Sequence, residues 1–258
     1  MAQLRTDAPE ILYKFRGIGA FRREVRDLLE RRQVWLARPT SLNDPYDLRP
    51  AVRVPPPSRR ERFIRMEIAA RPPGYPASKV RHLCELLCTS PVHRRKFLDE
   101  FYGKDLDALG VVCFSRPVTS SVLWAHYASN HRGFAVGYRA CTDGELEAFP
   151  AFPVRYSSRR PWLYPFGPEP DWLRIIGTKS REWAYEGEWR YVRLADDGGP
   201  GLMEVPAGAI VEVRLGLHIA PWHAARVVAA ARRLPDQPRI LEARLHAERS
   251  QLLFVPVA

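Results

Sequence analysis

The chain has 258 residues, of which 46% are hydrophobic and 27% charged, a composition that excludes a disordered segment and allows a buried core. Forty Lys and Arg residues against 29 Asp and Glu residues give a formal net charge of +11, which favours anionic partners. No long run of Lys and Arg concentrates that charge, so an evenly solvated basic surface is the simpler interpretation. The amino terminus lacks an apolar signal region, and no apolar run approaches the roughly 18 residues of a membrane span. We therefore expect a soluble, cytoplasmic protein, and the sequence leaves its oligomeric state open.

Short strands and irregularly placed helices follow one another along the chain. Strands are predicted where apolar residues alternate or form short runs, and helices where they recur every three to four positions. In chain order, the predicted elements are a strand at 11–15, a helix at 20–32, a strand at 34–37, helices at 59–70 and 78–102, a strand at 111–115, a helix at 120–129, strands at 133–138, 189–192 and 210–215, a helix at 221–233, and strands at 239–246 and 251–257. This order favours an α+β fold over alternating βαβ units.

Three stretches of the chain are predicted to be irregular or to form an insertion. Residues 43–47 combine Asn, Asp and Pro, which is turn chemistry. The helices within about 57–108 are predicted to form a helical insertion. Residues 150–170 are rich in Pro and aromatic side chains and predict a long folded loop.

The cysteines and histidines do not predict a metal site. No pair of cysteines forms a Cys-x-x-Cys motif, so neither a zinc knuckle nor a thioredoxin motif is indicated. Two of them, Cys84 and Cys88, lie four apart in a helical stretch and are predicted to pack as small apolar groups. His126 and His131 have no third ligand at a matching spacing. The four cysteines are Cys84, Cys88, Cys113 and Cys141.

Several familiar catalytic motifs are missing. Ser115 and Ser121 do not stand in a Gly-x-Ser-x-Gly elbow, so a hydrolase triad is excluded. Neither a Gly-x-Gly-x-x-Gly turn nor a Gly-Lys-Ser/Thr phosphate loop occurs, so Rossmann and P-loop folds are not predicted. A nuclease is a weaker alternative, because the sequence shows no cluster of Asp and Glu residues that would indicate a metal site.

Candidate site residues fall in three segments that are far apart in the chain. Trp124 and Tyr127 lie three apart and share a helix face, where they either pack in the core or line a cleft. Glu186 and Glu188 stand among aromatic residues, which favours a functional role over a solvated strand edge. The segments are Leu12-Tyr13-Lys14-Phe15-Arg16, then Cys113-Phe114-Ser115 followed by Ser121-x-x-Trp124-x-His126-Tyr127, and last Trp183-Ala184-Tyr185-Glu186-Gly187-Glu188-Trp189-Arg190.

Together with Asn43-Asp44-Pro45-Tyr46-Asp47, these segments resemble a widespread bacterial domain family of unknown function. The resemblance covers roughly residues 11–215 and does not by itself imply a reaction. The spacing is also similar to that of the ADP-ribosyltransferases. Phe114 is followed seven residues later by Ser121 and ten residues later by Trp124, and Glu188 stands in the place of the family's late catalytic glutamate. The sequence departs from that family at Lys14, where His is usual, and at Trp124, where Tyr is usual.

The second resemblance implies a single α+β domain over 1–258, in which split mixed or antiparallel sheets surround a cleft. It implies NAD⁺ as co-substrate, no metal, and transfer to a nucleic-acid, protein or small-molecule acceptor. Glu188 would stabilise the cation that forms when nicotinamide leaves, as in glycoside hydrolysis, and Glu186 would face the acceptor. The residues expected to bind the co-substrate are Tyr13, Lys14, Arg16, Ser115, Ser121, Trp124, His126 and Tyr127.

An alternative stays open at this point. The same cleft would serve as a non-catalytic module that recognises a nucleotide or nucleic acid, within a defence or stress system.

Overall fold

The computed structural model of this chain describes residues 10–140, 150–164 and 171–257. Cys141 and the end of the predicted loop, at 165–170, lie outside the described residues. The described chain combines a mixed sheet with several helices, which confirms the α+β class. None of its helices has the length and apolar character needed to cross a membrane.

The chain divides into two compact units, where the sequence predicts one domain with an insertion. The first unit is drawn from residues 1–37, 110–154 and 182–258, and the second from residues 38–109 and 155–181. Every residue that the sequence proposes for the NAD⁺ site belongs to the first unit.

The first unit is built on an eight-stranded mixed sheet. In order across the sheet, the strands are β14 (Leu252–Pro256), β13 (Arg239–Leu245), β12 (Ile210–Leu215), β5 (Phe134–Arg139), β1 (Ile11–Arg16), β4 (Gly110–Ser115), β10 (Glu188–Arg193) and β6 (Phe152–Pro153). Neighbouring strands are antiparallel except β12 and β13, which are parallel and are connected through helix α8 (Pro221–Ala231). A separate antiparallel pair is formed by β2 (Gln33–Leu36) and β11 (Gly201–Glu204).

Helices cover both faces of this sheet, because its strands alternate apolar side chains to either side. On one face, α1 (Phe21–Val25), a π-helical turn at Arg26–Glu30 and α8 bury their apolar residues against the sheet. On the other face, α6 (Ser121–Tyr127) packs Leu123 and Trp124 against strand β1. Burial of these two apolar layers is the main stabilising term of the unit.

The sheet opens between β1 and β4. Strand β1 pairs with β5 over its full length, and β10 pairs with β4 over its full length. Between β1 and β4, by contrast, the register contains one residue pair, Tyr13 with Ser115. The sheet is therefore continuous, but its two halves are joined by this one residue pair. The split sheets expected from the sequence are present only as this opening.

The second unit contains most of the helices. They are α2 (Pro57–Ala69), α3 (Ala77–Thr89), α4 (Pro91–Phe101), α5 (Gly103–Asp107) and α7 (Trp172–Ile176). The first four lie within the range 57–108 that the sequence assigns to a helical insertion. Two parallel strand pairs accompany them, β3 (Ala51–Val52) with β8 (Trp162–Leu163) and β7 (Arg155–Ser157) with β9 (Thr178–Ser180).

The structure corrects two predictions, one within this unit and one for a stretch that both units share. The single helix predicted at 78–102 is two helices, because Ser90 caps a new amino terminus and Pro91 takes its first position. The predicted loop at 150–170 contains the short strands β6, β7 and β8. Cys84 is buried beside Ile64 and Val80, as predicted, and burial raises the pKa of its thiol to about 11.

Candidate active site

Five residues from five adjacent strands form a row across the sheet. Directly opposed residues of neighbouring strands have their side chains on the same face. The registers pair Tyr13 with both Gly137 and Ser115, Ser115 with Glu188, and Gly137 with Glu212. Three predicted site residues from distant segments, Tyr13, Ser115 and Glu188, are thus neighbours on the face that α6 covers.

Glu188, the predicted catalytic carboxylate, is buried in an ion pair. Its Oε1 accepts hydrogen bonds from Nη2 and Nε of Arg190, at 2.7 and 2.9 Å. The Glu188 and Arg190 side chains are 1% and 0% exposed, so the pair is sealed from solvent. The two residues share a face because they lie two positions apart on β10. Arg190 was not among the predicted site residues.

Cys113 lies beside this ion pair, opposite Arg190 on β4. Burial and the negative charge of Glu188 raise the pKa of the Cys113 thiol to about 12. The thiol is therefore protonated near neutral pH, and a cysteine nucleophile is not supported at this position.

Glu186 and Glu188 are only two positions apart, but they belong to different segments. Glu186 ends the 3₁₀ helix Arg181–Glu186, and Glu188 begins β10. Between them, Gly187 has a φ of +51°, a backbone conformation that glycine adopts without strain. This turn lets the buried Glu186 carboxylate accept a hydrogen bond from the hydroxyl of Tyr127 on α6.

A second contact joins α6 to the 3₁₀ helix. The Nδ1 atom of His126 lies 2.9 Å from the hydroxyl oxygen of Tyr185, and the two rings meet edge to face. His126 is exposed, whereas Glu186 is buried. The predicted site residues His126 and Tyr127 thus hold α6 to the 3₁₀ helix, and Tyr185 is a partner that the sequence analysis missed.

Trp124 is a core residue, which decides between the two interpretations that the sequence left open. Its side chain is fully buried, and its indole N–H donates to the carbonyl oxygen of Val118 at 2.7 Å. Phe15 packs edge to face against it, with ring centroids 5.2 Å apart. The expectation that Trp124 binds the co-substrate is corrected accordingly. Ser121, by contrast, is exposed at the first position of α6.

Lys14 and Arg16 lie on the opposite face of β1 from Tyr13, because successive residues of a strand alternate. The expectation that they share one surface with Glu188 is therefore corrected. Arg16 forms an ion pair with Glu24 at 2.6 Å. Lys14 extends into the opening between β1 and β4, where its Nζ donates to the carbonyl oxygen of Cys113 at 2.8 Å. Burial, followed by the charge of Arg16, lowers the pKa of Lys14 to about 8.

Tyr13 belongs to a buried network that the sequence analysis did not find. Its ring crosses β5 above Gly137, where an added Cβ would lie 3.0 Å from the Tyr13 ring. The Tyr13 hydroxyl donates to Oε2 of Glu212 at 2.8 Å and accepts from Arg214 at 2.9 Å. Arg239 donates to the other oxygen of Glu212.

The charges in this network shift both of its titrating groups. Burial raises the pKa of Tyr13 above its ordinary value, in spite of the nearby Arg214. Burial also tends to raise the pKa of Glu212, but the hydrogen bonds from Tyr13 and Arg214 outweigh it and leave that pKa lowered.

The sequence pattern that could have revealed these ion pairs is Glu-x-Arg on a strand, which places opposite charges on one face. It occurs at Glu188, at Glu212 and at Glu242.

The predicted turn at 43–47 forms in the second unit. The backbone N–H of Tyr46 donates to Oδ1 of Asp44 at 2.9 Å, and the N–H of Asp47 donates to the carbonyl of Asp44. Asp47 is also buried and lies 3.9 Å from Nζ of Lys179. Over the residues that the structure describes, no three His, Cys, Asp or Glu side chains gather in a group that could hold a metal ion.

Comparisons with protein-family models, with curated proteins and with solved structures find no match to this chain.

Proposed function

We propose that this protein breaks the bond between nicotinamide and ribose in NAD⁺, and transfers the ADP-ribosyl group to an acceptor or to water. The observation that carries the proposal is the row of Tyr13, Ser115 and Glu188, which meet at the one point where β1 and β4 still pair. On the motifs given above, we also propose membership of the bacterial domain family of unknown function and a distant relationship to the ADP-ribosyltransferases.

The chemistry requires a fixed negative charge beside the ribose. When nicotinamide leaves with the bonding electron pair, positive charge develops on the ribose carbon and ring oxygen, as in glycoside hydrolysis. In this proposal Glu188, held in one orientation by Arg190, stabilises that charge from its buried position through the low-dielectric interior. A positioned electrostatic group of this kind contributes about a hundred- to a thousandfold in rate.

The neighbouring groups have separate roles in the same proposal. Glu186 removes the proton of the acceptor as it attacks the ribose carbon, and Tyr127 orients that carboxylate through its hydroxyl. His126 and Ser121, which are both exposed on α6, contact the dinucleotide. Lys14 attracts a phosphate at the opening between β1 and β4, and Arg16 adds to the positive potential there. Trp124 supports α6 from the core rather than contacting nicotinamide.

The test measures nicotinamide released from NAD⁺ by the pure full-length protein and by two variants. Glu188→Gln alone removes the proposed charge but leaves Arg190 without that partner. Glu188→Gln combined with Arg190→Met removes both charges and serves as the variant matched for stability. We expect release to fall about a hundred- to a thousandfold in both.

Two results would overturn this function. One is a folded wild-type protein that releases no nicotinamide with water, protein and nucleic-acid acceptors present. The other is a double variant that releases nicotinamide at the wild-type rate. Glu242→Gln, which changes an exposed carboxylate on β13, is the control that keeps its activity.

A second candidate function is recognition of a nucleotide or nucleic acid without chemistry. The observation that favours it is the burial of the Glu188–Arg190 pair, since a carboxylate sealed by a guanidinium is well suited to a structural role. In that case NAD⁺ or another nucleotide binds with a measurable heat, no nicotinamide is released, and the Glu188→Gln change alters stability more than affinity.

A further inference from the structure

A groove beside helix α2 combines exposed guanidinium groups with apolar and aromatic side chains. It lies wholly within the second unit and has a volume of about 930 Å³, at the upper end of the range typical of ligand sites. The residues that bear on the argument are Arg53, Arg59, Arg62, Phe63, Met66 and Tyr164. We call this feature the α2 groove.

The positive charge of the α2 groove is concentrated and available. Arg53, Arg59 and Arg62 are all exposed, and no ion pair is formed by Arg59 or Arg62 among the described residues. Glu67, the acidic residue among the described residues of the lining, is buried at 7% exposure. Three guanidinium groups around one groove attract the oxygens of phosphate, to which Arg donates paired hydrogen bonds.

Arg53 is held in place before any ligand arrives. Its backbone N–H donates to the carbonyl of Leu163 at 2.8 Å, which extends the pairing of β3 with β8. Its guanidinium lies over the ring of Trp162, 4.7 Å from the ring centre, and Arg174 lies over the same ring at 5.1 Å. A guanidinium stacked in this way is ordered without an ion pair, so less entropy is lost when it binds an anion.

The apolar part of the lining suits flat rings. Phe63 and Tyr164 are half-buried, so each presents part of an aromatic ring to the groove. Met66 is 60% exposed, and its flexible thioether adapts to different ring shapes. Aromatic side chains next to a line of guanidinium groups are the combination that binds single strands, where bases stack and phosphates pair.

We propose that the α2 groove binds single-stranded nucleic acid, with bases against Phe63, Met66 and Tyr164 and phosphates on Arg53, Arg59 and Arg62. This binding is independent of the NAD⁺ chemistry proposed above, because it uses only residues of the second unit. The chain's net charge of +11 adds a general attraction for the same ligand.

The experiment measures the fluorescence anisotropy of labelled oligothymidylate and oligouridylate of about 12 nucleotides, without NAD⁺, over a series of salt concentrations. In the triple variant, Arg53, Arg59 and Arg62 are changed to Gln. The slope of log K against log salt is negative, and each lost phosphate contact reduces its magnitude by about 0.7. For the triple variant we therefore expect a slope smaller in magnitude by about 2 and roughly a hundredfold weaker binding at 0.1 M salt.

The matched control loses the same charge elsewhere. Arg26, Arg95 and Arg226 already pair with carboxylates outside the groove, and their triple change to Gln should alter affinity less than about threefold. Tyr164→Ala tests stacking, with an expected loss of about fivefold to a hundredfold at an unchanged salt slope, and Tyr164→Phe should restore binding.

Four outcomes would overturn the proposal, and the first three concern single strands. They are no binding by the wild-type protein, an equal loss in the control and groove variants, and displacement of the strand by an equal concentration of a mononucleotide. Tighter binding of a duplex of the same length would assign the groove to double-stranded nucleic acid and also overturn it. Because Glu188→Gln should bind the strand like the wild type, failure here is distinguishable from failure of the NAD⁺ proposal.

Discussion

Strands β10 and β13 of one sheet carry the same pattern, Glu-x-Arg, in opposite surroundings. In each, the carboxylate and the guanidinium pair because they lie two positions apart on one face. The pair on β10, Glu188 with Arg190, is 1% and 0% exposed, whereas Glu242 and Arg244 on β13 are 36% and 62% exposed. The two pairs face opposite sides of the sheet, because Trp189, between the first two residues, packs in the core on one face, and Ala243, between the other two, packs on the opposite face.

The local pattern on each strand sets which side chains pair, while burial sets how much the pair contributes to stability. A buried ion pair is strongly destabilised when one partner is removed, because the other charge stays in a medium of low dielectric constant. An exposed pair is solvated and screened, and it contributes little. Glu212 on β12 is an intermediate case, since it is fully buried but one of its partners, Arg239, is 71% exposed.

The largest expected effect is on β10. Glu188→Gln should lower the free energy of unfolding by about 3–5 kcal/mol, because the buried Arg190 keeps its charge while the Glu188 carboxylate is removed. Urea denaturation followed by circular dichroism at neutral pH measures it. Adding Arg190→Met should recover most of the loss, and a double variant no more stable than the single one would contradict this account.

An intermediate effect is expected on β12. Glu212→Gln should lower the free energy of unfolding by about 2–3 kcal/mol at neutral pH, because charged hydrogen bonds from Tyr13 and Arg214 are weakened. The pKa of Glu212 is lowered in the folded protein. Its contribution is therefore present above the unfolded pKa of about 4.3, and it is lost as the pH falls through the lower folded pKa.

Urea denaturation at neutral pH and at about pH 3.5 checks this sign, since the gap between Glu212→Gln and wild type should narrow in acid. Glu204→Gln makes the same chemical change on an exposed side chain of β11 and serves as the control. A gap that stays constant between the two pH values would show that the carboxylate charge is not what stabilises the network.

The smallest effect is expected on β13. Glu242→Gln should change the free energy of unfolding by less than about 0.5 kcal/mol, and high salt should reduce that change further. The same urea titrations, with and without added salt, measure it. A loss comparable to that of Glu188→Gln would mean that burial does not separate the two pairs.

Periodicity predicted the regular elements of the first unit well. Strand β12 has the predicted bounds, and the bounds of β1, β4 and β5 differ from prediction by about one residue. The break between α3 and α4 was missed, although Ser90-Pro91 is a cap followed by a helix-starting proline. The short strands within 150–164 have no periodicity of their own, because two or three residues cannot show one.

The candidate site was predicted in its composition but not in its arrangement. Tyr13, Ser115 and Glu188 do lie side by side. Lys14 and Arg16 do not share their face, because the pleat alternates side chains and one position decides the side. Trp124 is in the core, since three-residue spacing on a helix gives a face but does not say what covers it.

The sequence by itself determined the α+β class, the basic charge and the positions of most strands, because each depends on composition or on neighbours within a few residues. Only the tertiary structure decided that Glu188 is sealed against Arg190, that Tyr13 reaches Glu212 across Gly137, and that three arginines gather beside α2. Those features depend on which strands pair and on what covers each face, and such long-range contacts are not recorded in any short stretch of the chain.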